Sequence, residues 1–280
     1  MHMGSGTALG VIDNPIQREC HTEHPLLAGS GVKGALRDAA GEVDGINKRD
    51  IEVIFGPEDK PEKHAGAVSF GDGQIVAFPV RSLRGGYVYA TCPIALQRLS
   101  RMAGICGEQD ALWNITDPGE GKAVVVNGDL KSDEKLVLEN YEFIPTEGGD
   151  ELRKAASWLA KNALPQNEGH EYFRKKIETD LVLLSNEQFG YFVRNSTSVE
   201  PHVRIDDKTG TADDGGLFFT ECVPPESVFV SLLMASVSRD GGSMSAAEVV
   251  AKLKDAFDGK VVQLGGDATT GRGLVAVRVV

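Results

Sequence analysis

The sequence predicts an α+β fold, in which a few clearly bounded helices lie between short strands. Two observations point to this class. The helical segments carry start and stop signals, and the strands are joined by glycine turns of the hairpin kind rather than by long crossovers. This combination favours an α+β sandwich over a doubly wound parallel sheet, and the ferredoxin-like order β-α-β-β-α-β is one arrangement of that type.

The N-terminal third supplies the first elements. Ser30 is expected to cap a short helix that carries Lys33 and Arg37, and a second helix ends at Phe55, before the stop signal Gly56-Pro57. The segments that follow are expected to be the strands Val68–Phe70, Ile75–Phe78 and Gly86–Thr91 and the helix Pro93–Met102.

The middle of the chain has a different character. Segment 107–185 is rich in charged residues, and its candidate helices are Glu151–Lys161 and Glu171–Lys176. We expect it to be a helical, acidic insertion at the periphery of a single domain that spans residues 1–280.

The C-terminal third again predicts strands and one helix. The apolar run Val228–Met234 is typical of a buried strand, and Ser245 with Glu248 forms a capping box that opens a helix to Phe257. A last pair of strands, Lys260–Leu264 and Leu274–Val280, flanks a glycine-rich loop.

The composition is that of a folded globular protein. Hydrophobic residues make up 41% of the 280 positions and charged residues 25%, which excludes collagen-like, coiled-coil and largely disordered chains. The four cysteines form no CxxC pair, so neither a disulfide framework nor a zinc ribbon is indicated. No apolar run approaches the ~18 residues that a membrane span needs. We therefore expect a soluble, cytoplasmic protein with no membrane partner.

The charge distribution is compatible with a polyanionic partner such as RNA. The net charge is −12, which by itself argues against nucleic acid. The contributions of residues 1–106, 107–185 and 186–280 are −1, −7 and −4, so most of the acidic surplus lies in the middle. Phosphate contacts depend on charges within a screening length of ~8 Å, and a locally basic groove in the first third remains compatible with RNA.

The glycine-rich loop, residues 265–273, approximates the spacing of a nucleotide-binding P-loop. Arg272 stands where that motif has lysine, Gly273 stands where it has Ser or Thr, and a strand follows where the motif needs a helix. A plain tight turn is therefore the simpler interpretation. The small residues around Arg272 also let the backbone approach another chain or an RNA phosphate closely, for example at Gly271.

Two short segments carry clustered basic residues. Lys33 and Arg37 are four positions apart and share a helix face near an N-terminus, an arrangement that suits phosphate, although a solvated helix face has the same spacing. Arg81 and Arg84 form a second basic turn, which is again compatible with plain surface.

Asp13 is the candidate catalytic carboxylate. It lies in a polar loop that precedes the basic helix, and a carboxylate near phosphate-binding residues is what metal-assisted or general-base cleavage of a phosphodiester requires. An Asx turn before Pro15 is the alternative. Cys20, His21 and His24 have spacings that fit no standard structural zinc site.

These motifs together resemble the RAMP superfamily of CRISPR proteins and, more narrowly, the backbone (fourth Cmr) subunits of type III-B effector complexes. The resemblance spans nearly the whole chain and is strongest over residues 4–91 and 260–275. It rests on ordered motifs, namely Gly4–Thr7, Asp13–Glu19, Gly29–Arg37, Phe78–Gly85 and the glycine-rich loop.

The resemblance implies a modified, RRM-like ferredoxin core with insertions and a β-hairpin thumb. The thumb falls roughly on residues 195–222, with strands over Val199–Ile205 and Gly215–Phe219 and a turn over Asp206–Gly210. The implied partners are a CRISPR guide RNA, a target RNA that pairs with it, further copies of the chain in a filament and the other Cmr subunits.

The implied activity is metal-dependent cleavage of the guide-paired target RNA at regular intervals in the assembled complex, with Mg²⁺ or Mn²⁺ as the metal. Asp13 falls on the family's cleavage aspartate and is the implied metal ligand, His2 matches a nearby histidine, and Glu221 is the acidic residue available after the thumb. The residues assigned to RNA binding are Arg18, Ser30, Lys33, Arg37, Arg81, Arg84, His202, Arg204, Gly271 and Arg272.

Two departures from the family pattern accompany the resemblance. The family places a larger acidic and aromatic set after the thumb, and it begins with an apolar strand, whereas this sequence starts at the glycine loop itself. Two other functions stay open. One is a guide-RNA scaffold of the same fold that does not cut, and the other is an enzyme that uses the glycine-rich loop for a small phosphorylated ligand.

Overall fold

The computed structural model describes residues 1–6, 10–58, 63–147 and 149–280; Thr7 of the first motif therefore lies outside the described residues. In chain order the helices are α1 (Gly29–Ala39), α2 (Lys48–Phe55), α3 (Pro93–Ile105), α4 (Asp150–Asn162), α5 (Glu171–Thr179), α6 (Asn186–Asn195) and α7 (Ala246–Phe257). The strands are β1 (Leu26–Leu27), β2 (Val68–Phe70), β3 (Gly73–Arg81), β4 (Tyr87–Thr91), β5 (Lys122–Val125), β6 (Leu136–Leu138), β7 (Tyr141–Glu147), β8 (Leu181–Leu183), β9 (Ser198–Ile205), β10 (Ala212–Cys222), β11 (Val228–Val230), β12 (Leu233–Ala235), β13 (Val261–Gln263) and β14 (Leu274–Ala276).

The main sheet is mixed. Its strands follow the order β1-β3-β4-β8-β5-β7-β6, and β11 pairs with β3 beside this path. The pairs β4·β8 and β5·β7 are parallel, while the remaining pairs of the sheet are antiparallel. The predicted α+β class is therefore confirmed, and the finer ferredoxin-like order stays a prediction.

The main sheet curls until its last strand, β6, reaches the end of β3. Ser82 forms a bridge with Leu138, and the Leu83 amide donates to the Val137 carbonyl at 3.1 Å. The enclosed core contains Phe78, Val80, Val125, Leu136, Phe143 and Phe192. The helices α3, α4 and α5 cover the other face of the sheet.

A second body carries the helices α1, α2 and α7 and the small strand pairs β12·β2 and β13·β14. Its core includes Leu36, Ile54, Phe55, Val249, Leu253 and Phe257. An apolar groove of about 1170 Å³ runs beside β11 and β14, between this body and the helix-covered face of the main sheet. Among the described residues, no helix is both long enough and apolar enough to cross a bilayer.

The middle of the chain departs from the expectation of a helical insertion. The helices α4 and α5 occupy the predicted places, but the same segment also supplies β5, β6, β7 and β8 to the main sheet. Val182 and Leu183 are buried, so this segment is part of the core rather than a peripheral addition. Whether it is an insertion relative to the family stays a prediction.

The expected cap of α1 is wrong. The helix begins at Gly29, and the Asp72 carboxylate accepts a hydrogen bond from the Gly29 amide at 2.8 Å, while the Ser30 side chain is exposed and does not cap. A Cβ atom at position 29 would lie 2.3 Å from the Phe70 carbonyl oxygen. Glycine is therefore needed there because the helix backbone touches β2.

The apolar run Val228–Met234 is not one strand. Its first part, β11, pairs with β3, and its second part, β12, pairs with β2 in a separate sheet. Between them, the Leu232 carbonyl accepts a hydrogen bond from the Gly71 amide at 2.8 Å. The run therefore crosses from one body to the other. The predicted capping box of Ser245 and Glu248 is present at the start of α7.

Candidate functional site

A long hairpin of β9 and β10 stands in the predicted thumb position. Phe218 pairs with His202 and Thr220 with Glu200 in an antiparallel register, with an irregularity between Ala212 and Leu217. At the turn, the Asp206 carboxylate accepts hydrogen bonds from the Lys208 and Thr209 amides at 2.8 and 2.7 Å. These bonds hold the pKa of Asp206 below its usual range. The turn at the tip is therefore closed by its own hydrogen bonds.

The outer part of the hairpin presents flat and positively charged groups. The His202 ring stacks on Phe218 with 5.2 Å between centroids and 19° between planes. Arg204 is exposed and has no partner among the described residues, and Val203 and Leu217 are about half exposed. Stacked rings beside a free cation and exposed apolar side chains suit contact with a nucleic acid.

The polar loop around Asn14 docks on the edge of β10 that faces away from β9. The Asn14 amide donates to the Phe219 carbonyl at 3.0 Å, and the Glu221 amide donates to the Asn14 carbonyl at 2.9 Å. Backbone groups of alternate residues point to the same edge of a strand, so Phe219 and Glu221 offer their groups together. The loop is thereby fixed to the base of the hairpin.

Asp13 lies exposed on this edge. Its Oδ2 atom accepts a hydrogen bond from the Phe219 amide at 2.7 Å, and its other oxygen has no bonded partner among the described residues. One oxygen therefore holds the side chain in place while the other is available to a ligand.

His2 lies on the same edge, two residues further along. Its Nδ1 atom is 2.7 Å from the Glu221 carbonyl oxygen. Because a carbonyl oxygen can only accept, Nδ1 carries the proton, and in the neutral ring Nε2 is an acceptor. The residues of β10 that hold Asp13 and His2 are two positions apart, which puts their Cα atoms about 7 Å from each other. The structure thus brings both predicted catalytic residues to one strand edge.

Glu221 has a different position from the one its predicted catalytic role requires. Its side chain is buried, and its carboxylate accepts from the Ile16 amide at 3.1 Å, from Arg18 at 2.5 Å and from the Thr197 hydroxyl at 2.8 Å. Both oxygens are occupied, so neither faces a substrate. The correction is that Glu221 joins the N-terminal loop to the hairpin. Arg18 is predicted to bind RNA. Its guanidinium instead pairs with Glu221 and donates hydrogen bonds to the carbonyls of Glu23 and Val193.

The glycine-rich loop lies beside the N-terminus. The Gly266 amide donates to the His2 carbonyl at 2.9 Å, and a Cβ atom at position 265 would lie 2.3 Å from that same oxygen. The loop therefore packs on backbone instead of forming an open phosphate cradle. At Gly271, by contrast, the space where a side chain would project is empty.

Arg272 joins the glycine-rich loop to the hairpin. Its guanidinium pairs with the Glu200 carboxylate and lies 3.0 Å from the Cys222 sulfur. The hydrogen bond with Arg272 holds the pKa of Glu200 below its usual range, and burial raises the pKa of the Cys222 thiol. Arg272 is thus already paired with Glu200. To make its predicted RNA contact, the guanidinium would have to bind a phosphate and the Glu200 carboxylate at the same time.

The two cations of α1 lie on one face, as the spacing predicts. Lys33 donates to the Val68 carbonyl at 3.0 Å, and Arg37 donates to the Gly56 carbonyl at 2.6 Å. Burial, followed by the nearby Arg37 and Arg239, lowers the pKa of Lys33. Positive charge therefore accumulates here.

Arg81 and Arg84 lie where the main sheet closes, apart from the segments described above. Arg81 pairs with Glu139 at 3.3 Å, and Arg84 is exposed without a partner in the described part of the chain. Their predicted RNA binding stays a prediction. The structure does not bond them to the hairpin or to the Asp13 loop.

The residues present meet the minimum that a metal site at Asp13 needs. In the described ranges no group of three or more His, Cys, Asp or Glu side chains is placed to hold an ion. Mg²⁺ commonly keeps several waters and binds one or two carboxylates together with substrate phosphates. One free oxygen of Asp13 fits that pattern, with the remaining ligands coming from water and RNA.

Three structural features of the site are not indicated by the sequence. They are the Phe219 amide, which positions Asp13, the hydroxyl of Thr197, and Arg239 beside α1. A backbone group has no residue signature, and Arg239 is about 200 positions from Lys33, so no local pattern could connect them.

Nearly the whole chain is similar to proteins of one family. The family model of the RAMP superfamily matches residues 1–276. The CRISPR system Cmr endoribonuclease Cmr4 of Pyrococcus furiosus is 34% identical over 281 residues, which cover 99% of this chain and 90% of that protein. The CRISPR system CMR subunit Cmr4 of Saccharolobus solfataricus is 25% identical, with coverages of 99% and 92%.

Solved structures agree with these relatives. A crystal structure of oligomeric Cmr4 from Pyrococcus furiosus matches with a TM-score of 0.74 and 27% identity, over 94% of this chain and 91% of that one. A chain of a type III-B Cmr-beta complex bound to cognate target RNA matches with a TM-score of 0.74 over 99% and 92% of the two chains. At 21% identity, this second match shows the fold alone.

Proposed function

Because this chain belongs to the RAMP superfamily, we propose that it is a guide-RNA-binding backbone subunit of a type III-B CRISPR effector complex and that it cleaves the target RNA paired with the guide. The observation that carries the proposal is the placement of Asp13 and His2. Both are held on the edge of β10 at the base of the hairpin, and Asp13 keeps one oxygen exposed.

The proposed chemistry follows from these two side chains. The free oxygen of Asp13 is in place to hold a divalent cation or to accept the proton of a ribose 2′-hydroxyl, and Nε2 of His2 is a second proton acceptor. A bound Mg²⁺ or Mn²⁺ would stabilise negative charge on the scissile phosphate. The Phe219 amide and the Glu221 carbonyl hold the two residues and need not touch the RNA.

The hairpin and α1 supply the binding surfaces in this proposal. His202 stacked on Phe218 offers a flat surface to bases, and the free guanidinium of Arg204 faces solvent where phosphates can reach it. Lys33 and Arg37 bind guide phosphates from the second body. Copies of the chain are expected to line up along the guide, together with the other Cmr subunits.

The test is co-purification followed by a cleavage assay. The chain is produced together with the other Cmr subunits and a CRISPR array, and the bound RNA is sequenced. We expect reads that carry repeat-derived tags, and the purified complex is expected to cut a complementary RNA at regular intervals when Mg²⁺ or Mn²⁺ is present. Absence of tagged RNA contradicts the binding function, while tagged RNA with an intact target favours the non-cutting scaffold.

An enzyme acting on a small phosphorylated ligand is less well supported. The glycine-rich loop that would bind such a ligand packs against the backbone of His2 and Leu264. It continues into β14 and not into a helix N-terminus.

A further inference from the structure

A small recess lies between α1, β2 and the loop that follows β12. Its volume is about 250 Å³, several times the ~30 Å³ that one water molecule occupies. It is lined by Lys33, Arg239 and segments 65–69 and 234–236. Ala65, Ser69 and Met234 are exposed, so the recess opens to solvent.

The charges around this recess are unbalanced. Among the described residues, its lining contains two cations and no carboxylate. Arg37 adds a third cation. Its guanidinium lies 3.7 Å from the carboxylate of Glu58, and the Glu58 side chain is almost fully exposed. The repulsion reaches Lys33, whose pKa is lowered by burial first and then by Arg37 and Arg239. Among the described residues of this region, the three cations outnumber the two nearby carboxylates, Glu58 and Asp240. An excess of positive charge that solvent can reach is a favourable place for an anion.

Arg239 is free to bind such an anion. Its side chain is exposed and has no hydrogen bond or ion pair among the described residues. The adjacent carboxylate, that of Asp240, accepts from the Ser243 hydroxyl at 2.6 Å, and the bonds from Ser243 and Ser238 lower the pKa of Asp240 to about 2. The Asp240 carboxylate is therefore bonded to its own loop and forms no direct ion pair with Arg239 among the described residues.

The loop is built to hold Arg239 in place. The Ser236 amide donates to the Ala67 carbonyl at 2.8 Å, and the Ser238 and Met244 backbones are bonded across the loop at 2.9 Å. Arg239 thus projects from an ordered backbone next to β2, opposite Lys33. Two cations on separate segments, facing one recess, form a clamp for a tetrahedral oxyanion.

We propose that Lys33 and Arg239 bind one phosphodiester group of the guide RNA in this recess, which makes Arg239 a further RNA-binding residue of the chain. The inference rests on the proposed function, since the phosphate is assigned to the guide. Free phosphate offers the same chemistry, and the experiment below separates the two sources.

The experiment measures guide-RNA binding by the intact chain at several salt concentrations. The variant is Arg239→Gln, and the matched control is Arg101→Gln, which removes an exposed arginine on α3 that does not line the recess. We expect Arg239→Gln to weaken binding about fivefold or more and to make the salt slope shallower by up to about 0.7, the value for one phosphate of a single strand. The control is expected to behave like the parent.

A double variant tests whether the two cations share one phosphate. Adding Lys33→Gln to Arg239→Gln should leave the total loss of slope near about 0.7, because one phosphate is released once. A loss near twice that value contradicts a shared site. Thermal unfolding of Arg239→Gln should match the parent, since Arg239 is exposed and has no partner among the described residues.

The outcomes separate the inference from the proposed function. If the parent binds guide RNA and Arg239→Gln binds equally well, the inference alone is overturned. A parent that fails to bind guide RNA overturns the proposed function instead. Tight binding of inorganic phosphate that depends on Arg239, with unchanged RNA binding, assigns the recess to a small ligand and also rejects the inference. Loss of self-association without loss of RNA affinity assigns it to a second copy and rejects it as well.

Discussion

Two carboxylates lie at the same stretch of β10 and differ in burial and hydrogen bonding: Glu221 belongs to the strand, and Asp13 is bonded to its Phe219 amide. Asp13 is exposed and has one hydrogen bond, from the Phe219 amide. Glu221 is buried and has both oxygens bonded, to Ile16, Arg18 and Thr197. The two acids are close in space and share a chemical group, yet one can take a new ligand and the other cannot.

The comparison shows that the burial and hydrogen bonding of its two oxygens decide whether a carboxylate is available to bind a new ligand. A carboxylate with an unsatisfied, solvent-facing oxygen is available for metal binding or proton transfer. One that is buried and paired contributes to the free energy of folding. Removing the charge of Glu221 leaves the partly buried Arg18 guanidinium without its counter-charge, although the guanidinium keeps its bonds to two carbonyls. Variants at the two positions should therefore fail in different assays.

The largest effect is expected at Glu221. Replacing it by Gln breaks a buried ion pair and should lower the free energy of unfolding by about 3 kcal/mol, because the Arg18 charge loses its counter-charge. Denaturant unfolding followed by circular dichroism measures this. The matched control is Glu200→Gln, which removes a partly exposed carboxylate and should cost less than about 1 kcal/mol. Equal stabilities of the two variants would remove the distinction between buried and exposed acids.

Asp13→Asn should affect cleavage and leave folding unchanged. The amide oxygen of Asn still accepts from the Phe219 amide, so the loop keeps its position, but the charge is lost. Single-turnover cleavage by the assembled complex at saturating Mg²⁺ or Mn²⁺ is expected to fall by about 10² or more, with guide and target binding retained. Asp207→Asn at the hairpin tip is the control. A rate within a few-fold of the parent would reject the catalytic role and favour the scaffold.

Variants of the cations proposed to face RNA should, like Asp13→Asn, impair an RNA assay more than they impair folding. Changing Lys33 and Arg37 together to Gln should weaken guide binding by roughly tenfold and make the salt slope shallower by about one to two units, because up to two phosphate contacts are lost. Titrations at several salt concentrations measure this. Exposed cations of the helical face, Arg101 and Lys175, provide the control pair. An unchanged slope contradicts phosphate contact.

The smallest effect is expected at His24, in the turn that supports Arg18. Burial lowers the pKa of His24 to about 4, and the ring packs edge-on against Phe189. The unfolded chain takes up a proton near pH 6.5 while the folded chain does not, so the free energy of unfolding falls as pH drops from about 6.5 towards 4. At pH 5.5 this loss amounts to about 1.4 kcal/mol.

A His24→Phe variant isolates this contribution. Its unfolding free energy should depend less on pH between 7 and 5 than that of the parent, because the group that takes up the proton is gone. Urea unfolding at pH 7 and pH 5.5 gives the two differences. Identical pH dependence in both proteins would show that His24 is not the group responsible.

Local signals in the sequence predict most elements of the second body, whereas the hairpin is predicted by the family resemblance. The capping box at Ser245, for example, depends on residues within a few positions. The strands of the middle segment were missed because each is only three to seven residues long and lies within charged sequence. Their burial depends on distant neighbours in the sheet, which no short window contains.

The site divides in the same way. Asp13 and His2 could be named from a motif, but the hydrogen bonds that hold them come from Phe219 and Glu221 at the other end of the chain. The sequence equally could not show that Glu221 is buried, because its three donors lie 205, 203 and 24 positions away along the chain. A motif indicates residue types, and only the fold shows which polar atoms remain unpaired.

The contacts that hold His2 and Asp13 span 219 and 206 positions of the chain. Such distant contacts form late, since a long loop must close before they contribute to stability. During synthesis, an emerging chain exposes Asp13 long before β10 exists to hold it, and the loop gains its anchoring only when nearly four fifths of the chain has been made. Unfinished chains therefore carry the aspartate without the strand that positions it, and the proposed catalytic arrangement becomes available only to subunits that are close to completion.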